Sequence, residues 1–215
     1  MKQRVVLLGP PASGKGTQAS LLGATFGIPH TSTGEMLRRE RAAGTSLGIE
    51  ADTYTRQGFL FPDHLALTVV EQWVDDRERF LLDGFPRTLS QAQAFDRMLL
   101  DRARPLDVVY LLALSDAEVR RRMLGRLTCE SCGAVYNSEF HKITADSPCP
   151  KCTGHLARRS DDTEEALDHR LSQYHELTTP VATYYRDLGL LKTIDVSPGR
   201  DEVFKTLYAD MREAA

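Results

Sequence analysis

The chain has 215 residues, enough for one domain with a sizeable core and modest insertions. Lys and Arg number 27 against 30 Asp and Glu, and a net charge of −3 gives no general attraction to nucleic acid or to an anionic membrane surface. No apolar run approaches the roughly 20 residues that span a bilayer, and the apolar part of the opening MKQRVVLLGPP is too short for a secretory leader, so the expected location is the cytoplasm.

Val5-Val6-Leu7-Leu8 reads as a buried strand that runs straight into the glycine-containing stretch Gly9 to Thr17, GPPASGKGT. A helix is expected over 15–26 and a strand near 28–32. Residues 31–61 are polar and helical in pattern. Helix 62–75, strand 80–82, helix 89–100, strand 108–112 and helix 116–125 follow. Residues 127–160 are rich in Cys, Pro, Gly and Ser. One long helix is expected over about 162–188, and a strand over 190–194. Short apolar runs alternating with helices predict an α/β fold, a parallel sheet with helices on both faces. The stretches 31–61 and 127–160 lack the apolar content to build a core alone. They read as insertions over the carboxyl ends of the strands, where ligands bind in such folds.

The first motif lies in GPPASGKGT. A strand feeding a glycine-rich loop and then a helix aims backbone N–H groups and a helix N-terminus at one point, which suits a phosphate. The strict pattern is Gly, four residues, then Gly-Lys-Ser/Thr. Gly9, Gly14 and Lys15 fit it, Gly16 follows the lysine, and the hydroxyl comes at Thr17. A chance glycine-rich turn is the bland alternative, against which stands the order strand, loop, helix.

The second motif is Cys129-x2-Cys132-x16-Cys149-x2-Cys152, which holds all four cysteines of the chain. Two such knuckles supply four thiolates to one tetrahedral zinc ion and leave no open coordination position, so the metal is expected to be structural. Gly133 permits the tight backbone of a knuckle. Two disulfides or four free thiols are the competing readings; iron fits the same knuckles, and His141 and His155 lie near enough to serve as alternative ligands.

The third is a set of charges. Phe80-Leu-Leu-Asp83-Gly84-Phe85-Pro86-Arg87 ends a strand in a carboxylate placed to bind Mg²⁺ through water and turns to an arginine placed to grip phosphate. Arg122 and Arg126, four apart, are expected on one helix face. Arg38 lies in the first insertion, and Arg159 precedes Asp161-Asp162, where Asp162 and Glu165 suggest a helix N-cap. Arg170 follows on that helix. A single arginine reads best as a solvated surface charge; together they match the charge of two phosphorylated nucleotides. The sequence shows no nucleophile–base pair near these motifs. Transfer onto a phosphate needs none, because that acceptor is already ionised.

The chain resembles the adenylate kinases in their long form with a zinc-bearing lid, on GPPASGKGT, STGEMLR, GFLFPDHL, LLDGFPRT with Gln91, LGRLTCESCG, CPKC, RSDDTEEALDHRL and the stretch 174–185. The resemblance implies a P-loop NTPase-type fold: a core of 1–30, 62–124 and 163–215, a mobile monophosphate-binding insertion over 31–61 and a mobile zinc-bearing lid over 125–162. It implies reversible transfer of a phosphoryl group from MgATP to AMP, giving two ADP, by a monomer. Ala12, Ser13, Gly14, Lys15, Gly16 and Thr17 would hold the ATP phosphates, with Lys15 on the transferred group. Thr33, Arg38, the backbone of Phe59, Leu60 and Phe61, the turn of Gly84, Phe85, Pro86 and Arg87, and Gln91 would bind AMP, Gln91 at the adenine edge. Arg126, Val135 and Tyr136 would contact ATP, Arg122 would pack on its adenine, Arg159 and Arg170 would bridge the phosphates, and Asp161 and Asp162 would help the lid close. Two positions depart from the family: Ala12 stands where glycine is frequent, and Pro198, against the ATP adenine, offers only a carbonyl.

Three other readings compete. A P-loop kinase for UMP, CMP or GMP shares these features, and Gln91 with the long lid favours AMP. A zinc-ribbon nucleic-acid adaptor calls for a basic, aromatic ribbon, which 127–160 is not. A P-loop ATPase switch would hydrolyse ATP without AMP.

Overall fold

The computed structural model describes residues 1–55, 62–158 and 162–213. In chain order the first elements are β1 (Arg4–Leu8), α1 (Lys15–Phe26), β2 (His30–Ser32), α2 (Thr33–Ala42), α3 (Ser46–Thr55) and α4 (Asp63–Val74). There follow β3 (Phe80–Asp83), α5 (Leu89–Asp101), β4 (Val108–Ala113), α6 (Asp116–Leu124), β5 (Arg126–Cys129), β6 (Val135–Asn137), α7 (Ser138–His141) and β7 (Leu156–Ala157). The last are α8 (Glu164–Gln173), a π-helical turn (Tyr174–Thr178), α9 (Thr179–Asp187), β8 (Leu191–Asp195) and α10 (Arg200–Arg212).

Five strands form one parallel sheet in the order β2-β3-β1-β4-β8. Strand side chains alternate between faces, so β1 sends Val6 and Leu8 into a core with α4, α5 and α9, and Val5 and Leu7 into a second core with α1 and α10. Both faces are covered, which is why β1 reads as an unbroken apolar run. The chain leaves β1 toward one face through α1 and leaves β3 toward the other through α5. A crevice opens between two strands whose connections diverge in this way.

The expected α/β sheet is present, with four differences in detail. α10 was not anticipated, although Val203, Leu207 and Met211 recur every fourth residue and are buried against α1. The expected helix over 162–188 is broken by the π-helical turn before Pro180, whose missing N–H cannot continue an α-helical ladder. Thr163, not Asp162, caps α8, its hydroxyl accepting from the N–H of Ala166. Finally α6 stops at Leu124, so Arg126 stands in strand β5 and shares no helix face with Arg122. Asn137 Nδ2 donates to the Arg122 carbonyl (3.0 Å), the acceptor that the Arg126 N–H would use if α6 continued. The first insertion leans on the main core through Met36, Leu37 and Ala51. In the second, β5 pairs antiparallel with β6 and β7 over a small separate cluster of Leu127, Cys129, Cys149 and Leu156.

Asp210 on α10 ties the chain ends to the sheet. It accepts from Tyr110 Oη at 2.5 Å, pairs with Lys2 Nζ at 3.0 Å and meets Lys192. Burial is the largest influence on this carboxyl and raises its pKa, but donation from Lys192, Tyr110 and Lys2 outweighs it and holds the group below the usual carboxylate range. Its stabilisation is therefore complete at neutral pH and is lost as pH falls below about 4. Asp210→Asn leaves a buried ammonium without its anion and should cost about 2 kcal/mol, about 4–8 °C in Tm. Thermal melts should show that difference at pH 7 and its shrinkage toward pH 3.

Candidate active site

The loop after β1 is shaped by close approach. A Cβ at Gly9 would lie 2.6 Å from the Leu112 carbonyl oxygen, and one at Gly16 would lie 3.2 Å from Asp83 Oδ2. The hydroxyl of the strict motif is thus displaced to Thr17 because position 16 abuts the carboxylate of β3. Four other helices, α2, α5, α6 and α8, cap their N-termini with a Ser or Thr side chain. α1 begins at Gly14 (φ 89°) with no side-chain cap and no acidic residue in its first turn. Its N-terminal N–H groups and dipole are left for an anion. Ala12 holds a left-handed φ of 55°. That costs an alanine about 1–2 kcal/mol, but its methyl packs on Val119, Met123, Leu167 and Leu171. A buried methyl is worth about 0.8 kcal/mol, and glycine would add about 0.5–1 kcal/mol of unfolded-state entropy. The two residues come out nearly even, which accounts for alanine here.

Lys15 Nζ donates to the carbonyls of Gly9 (2.9 Å) and Pro10 (2.8 Å). Burial lowers its pKa to about 8; Asp83 opposes the shift, and Arg87 and Arg126 add to it. Register sets Asp83 opposite Leu7 of β1. Burial raises the Asp83 pKa, while Lys15, Arg87, His30 and Arg38 pull it back. Thr33 Oγ1 lies 3.4 Å from the Gly84 carbonyl, which also accepts from Arg87 Nε at 2.7 Å across the turn of Gly84, Phe85 and Pro86. Burial lowers the pKa of Arg87 against the pull of Asp83, with Arg170 adding to the effect. Arg87 is fixed at both ends of its backbone: its N–H donates to Gln91 Oε1 (2.7 Å), and its carbonyl accepts from Thr178 Oγ1 (3.0 Å) in the π-helical turn.

At the root of the second insertion, the Asp162 side chain is 2 % exposed and receives two hydrogen bonds from Arg126, through Nε at 2.7 Å and through Nη2, while Arg170 Nη1 lies 3.5 Å away. The sequence reading gave Asp162 a capping role; its carboxylate instead joins strand β5 to α8. Arg122 is held by Glu118 and donates to the Val196 carbonyl (3.1 Å), two residues before the exposed Pro198. Val135 is exposed, and Tyr136 Oη faces Cys149 Sγ at 3.5 Å. Lys15, Asp83, Arg38, Arg87, Arg126 and Arg170 thus share one electrostatic neighbourhood at the strand ends. Phe59, Leu60, Phe61, Arg159 and Asp161 lie outside the described residues. Sequence reasoning gave no role to Asp63 or Thr178, although both lie in stretches that carry the resemblance; they reach the site through partners distant in the chain.

The four cysteine sulfurs lie within 4.8 Å of one another, with Cys129–Cys152 at 3.5 Å and Cys132–Cys149 at 3.7 Å. A disulfide needs about 2.05 Å. Sulfurs around one tetrahedral zinc stand about 3.8 Å apart, from a Zn–S bond of about 2.3 Å. The donor set therefore fits a shared ion and excludes the disulfide reading. The knuckles match: Gly133 and Thr153 both hold left-handed φ (70° and 59°), and their N–H groups return to the carbonyls of Cys129 and Cys149. His155 pairs with Glu130, and His141 packs on Tyr136.

A P-loop, a carboxylate at the end of the neighbouring strand and converging arginines define a P-loop phosphotransferase. The family model "Adenylate kinase" matches residues 7–190. The chain is 42 % identical over 209 residues to the adenylate kinase of Thermodesulfovibrio yellowstonii, covering 96 % of this chain and 97 % of that one. It is 38 % identical over 207 residues to that of Clostridium acetobutylicum (95 % and 96 %) and 43 % over 195 residues to that of Desulfitobacterium hafniense (89 % and 90 %). The chain belongs to the adenylate kinase family, and its reaction is phosphoryl transfer between ATP, used with Mg²⁺, and AMP to give ADP. Transfer to another nucleoside monophosphate is not favoured. Among the described residues no helix is long and apolar enough to cross a membrane.

Because burial lowers the Lys15 pKa to about 8, the group loses its charge in the free protein above about pH 8, and an arriving phosphate should restore it. ATP binding at about pH 8.5 should therefore take up a proton, read by calorimetry in buffers of different ionisation enthalpy, and ATP affinity should fall as pH rises above 8. Unliganded Lys15→Met should melt higher than the parent at pH 7, and the difference should vanish between pH 8 and 10.5.

Proposed function

We propose that this chain catalyses reversible MgATP:AMP phosphoryl transfer by charge compensation and positioning. The observation that carries the reading is the crowding of Lys15, Arg87, Arg126 and Arg170 around Asp83 and Asp162. The loop of Ala12, Ser13, Gly14, Lys15, Gly16 and Thr17 holds the ATP phosphates through its N–H groups, with Lys15 moving from the Gly9 and Pro10 carbonyls onto the transferred group. Thr33, Arg38, Phe59, Leu60, Phe61, the turn of Gly84, Phe85, Pro86 and Arg87, and Gln91 receive AMP. Arg126, Val135, Tyr136, Arg122 and the Pro198 carbonyl receive ATP, and Arg87, Arg126, Arg159 and Arg170 neutralise charge between the nucleotides. Asp83, a half-buried carboxylate at the end of β3, would hold Mg²⁺ through water, since that ion keeps most of its waters; bound with ATP, the ion would supply charge neutralisation. No general base is required.

In this reading residues 31–61 close over AMP and 125–162 over ATP, expelling water that would otherwise hydrolyse the donor, and reopening limits turnover. Cys129, Cys132, Cys149 and Cys152 hold one structural Zn²⁺, which substitutes for the core that the second insertion lacks. The enzyme is proposed to act as a cytoplasmic monomer on free ATP, AMP and ADP, with neither nucleic acid nor membrane as partner, in keeping with its net charge of −3.

Pure protein given ADP and Mg²⁺ should form AMP and ATP in equal amounts; failure to disproportionate ADP would reject the reaction. Cys129→Ala/Cys132→Ala should release about one zinc per chain and melt lower, with activity per folded molecule less affected. An unchanged melt would reject the structural ion.

A further inference from the structure

Gln91 is 3 % exposed in the first turn of α5, and each polar atom of its amide has a partner of fixed sense. Oε1 accepts from the Arg87 backbone N–H at 2.7 Å, and Nε2 donates to Asp63 Oδ1 at 2.7 Å. A peptide N–H only donates, and an ionised carboxylate only accepts. A flipped amide would set N–H against N–H and oxygen against carboxylate. Asp63 is itself pinned: Oδ2 accepts from Thr88 Oγ1 at 2.8 Å and from Ser90 Oγ, and Thr88 in turn accepts from the Gln91 N–H as the N-cap of α5. Asp63 also sits in the first turn of α4, where the helix dipole favours its charge.

An amide of fixed polarity reads a base edge in one sense only. Oε1 keeps a second lone pair, and Nε2 keeps a second hydrogen. Together they complement adenine, which presents the N6 donor beside the N1 acceptor. Hypoxanthine and guanine present the reverse, an O6 acceptor beside an N1–H donor. We propose that Asp63 is the positioning residue that sets acceptor-base specificity, by locking Gln91 in the sense that accepts a 6-amino purine monophosphate and rejects a 6-oxo one. This rests on the reading that Gln91 faces the acceptor's base.

Asparagine at position 63 offers either an oxygen or an N–H₂ to Gln91, and the Thr88 and Ser90 hydroxyls adapt to both. The test compares kcat/KM for AMP and for IMP at saturating MgATP, with KM for ATP and the melting curve as controls, in the parent, Asp63→Asn and Gln91→Ala. The AMP/IMP ratio should fall about tenfold in Asp63→Asn, the size of one good base-edge discrimination, with KM for ATP within about twofold; the Arg87 N–H retains part of the lock. If Gln91→Ala leaves the ratio unchanged, Gln91 does not read the base, and that underlying reading fails. If Gln91→Ala collapses the ratio while folded Asp63→Asn preserves it, the Asp63 proposal is overturned and the Gln91 reading stands. Should Asp63→Asn fold poorly, Asp63→Ala removes the same acceptor, and an unchanged ratio in it overturns the proposal equally.

Discussion

The parallel pairing of β1 with β3 is the constraint on which the site depends. It sets Leu7 opposite Asp83 and so brings the loop that follows one strand against the turn that follows the other. Lys15 and Arg87 then face a single carboxylate in a buried place, and each cation loses some of its preference for charge. The unliganded crevice is short of anions, and phosphate supplies what is missing. Burial makes this deficit count, because charges at the same distances in open water would interact several-fold more weakly.

A second carboxylate performs the matching task on the other side. The Asp162 side chain is almost wholly buried and takes hydrogen bonds from Arg126 in strand β5 while Arg170 of α8 approaches the same oxygen. The two guanidiniums belong to different elements and would repel without it. α8 continues through the π-helical turn to Thr178, whose hydroxyl holds the Arg87 carbonyl. One helical run therefore carries one cation, Arg170, and positions another, Arg87, through Thr178 of the π-helical turn.

The sequence was most legible where a residue's surroundings lie close in the chain. β1 and β4 are buried on both faces and read as apolar runs. The phosphate loop needs particular residues at fixed spacing, and the cysteine knuckles do too. Features that failed to appear depend on distant partners. Asn137 takes the Arg122 carbonyl where α6 ends, so Arg126 changes element with no local warning. Asp63 meets Gln91 across 28 positions and Thr178 meets Arg87 across 91. α10 is the exception: its buried residues stand four apart in the sequence itself.

The same contrast separates the two kinds of recognition in this chain. On the proposed reading, phosphate is met by backbone N–H groups and cations, which tolerate small changes of angle, so loop spacing is enough to reveal them. A purine edge differs from its 6-oxo counterpart by exchange of one donor and one acceptor, and a glutamine amide reaches both senses by turning over. Nothing in Gln91 itself selects one. Selection has to come from groups that only donate or only accept, and a backbone N–H and a capped carboxylate are the two kinds available here. On the proposed reading, base choice is therefore written in the partners of Gln91, the Arg87 N–H and Asp63, rather than in Gln91 alone.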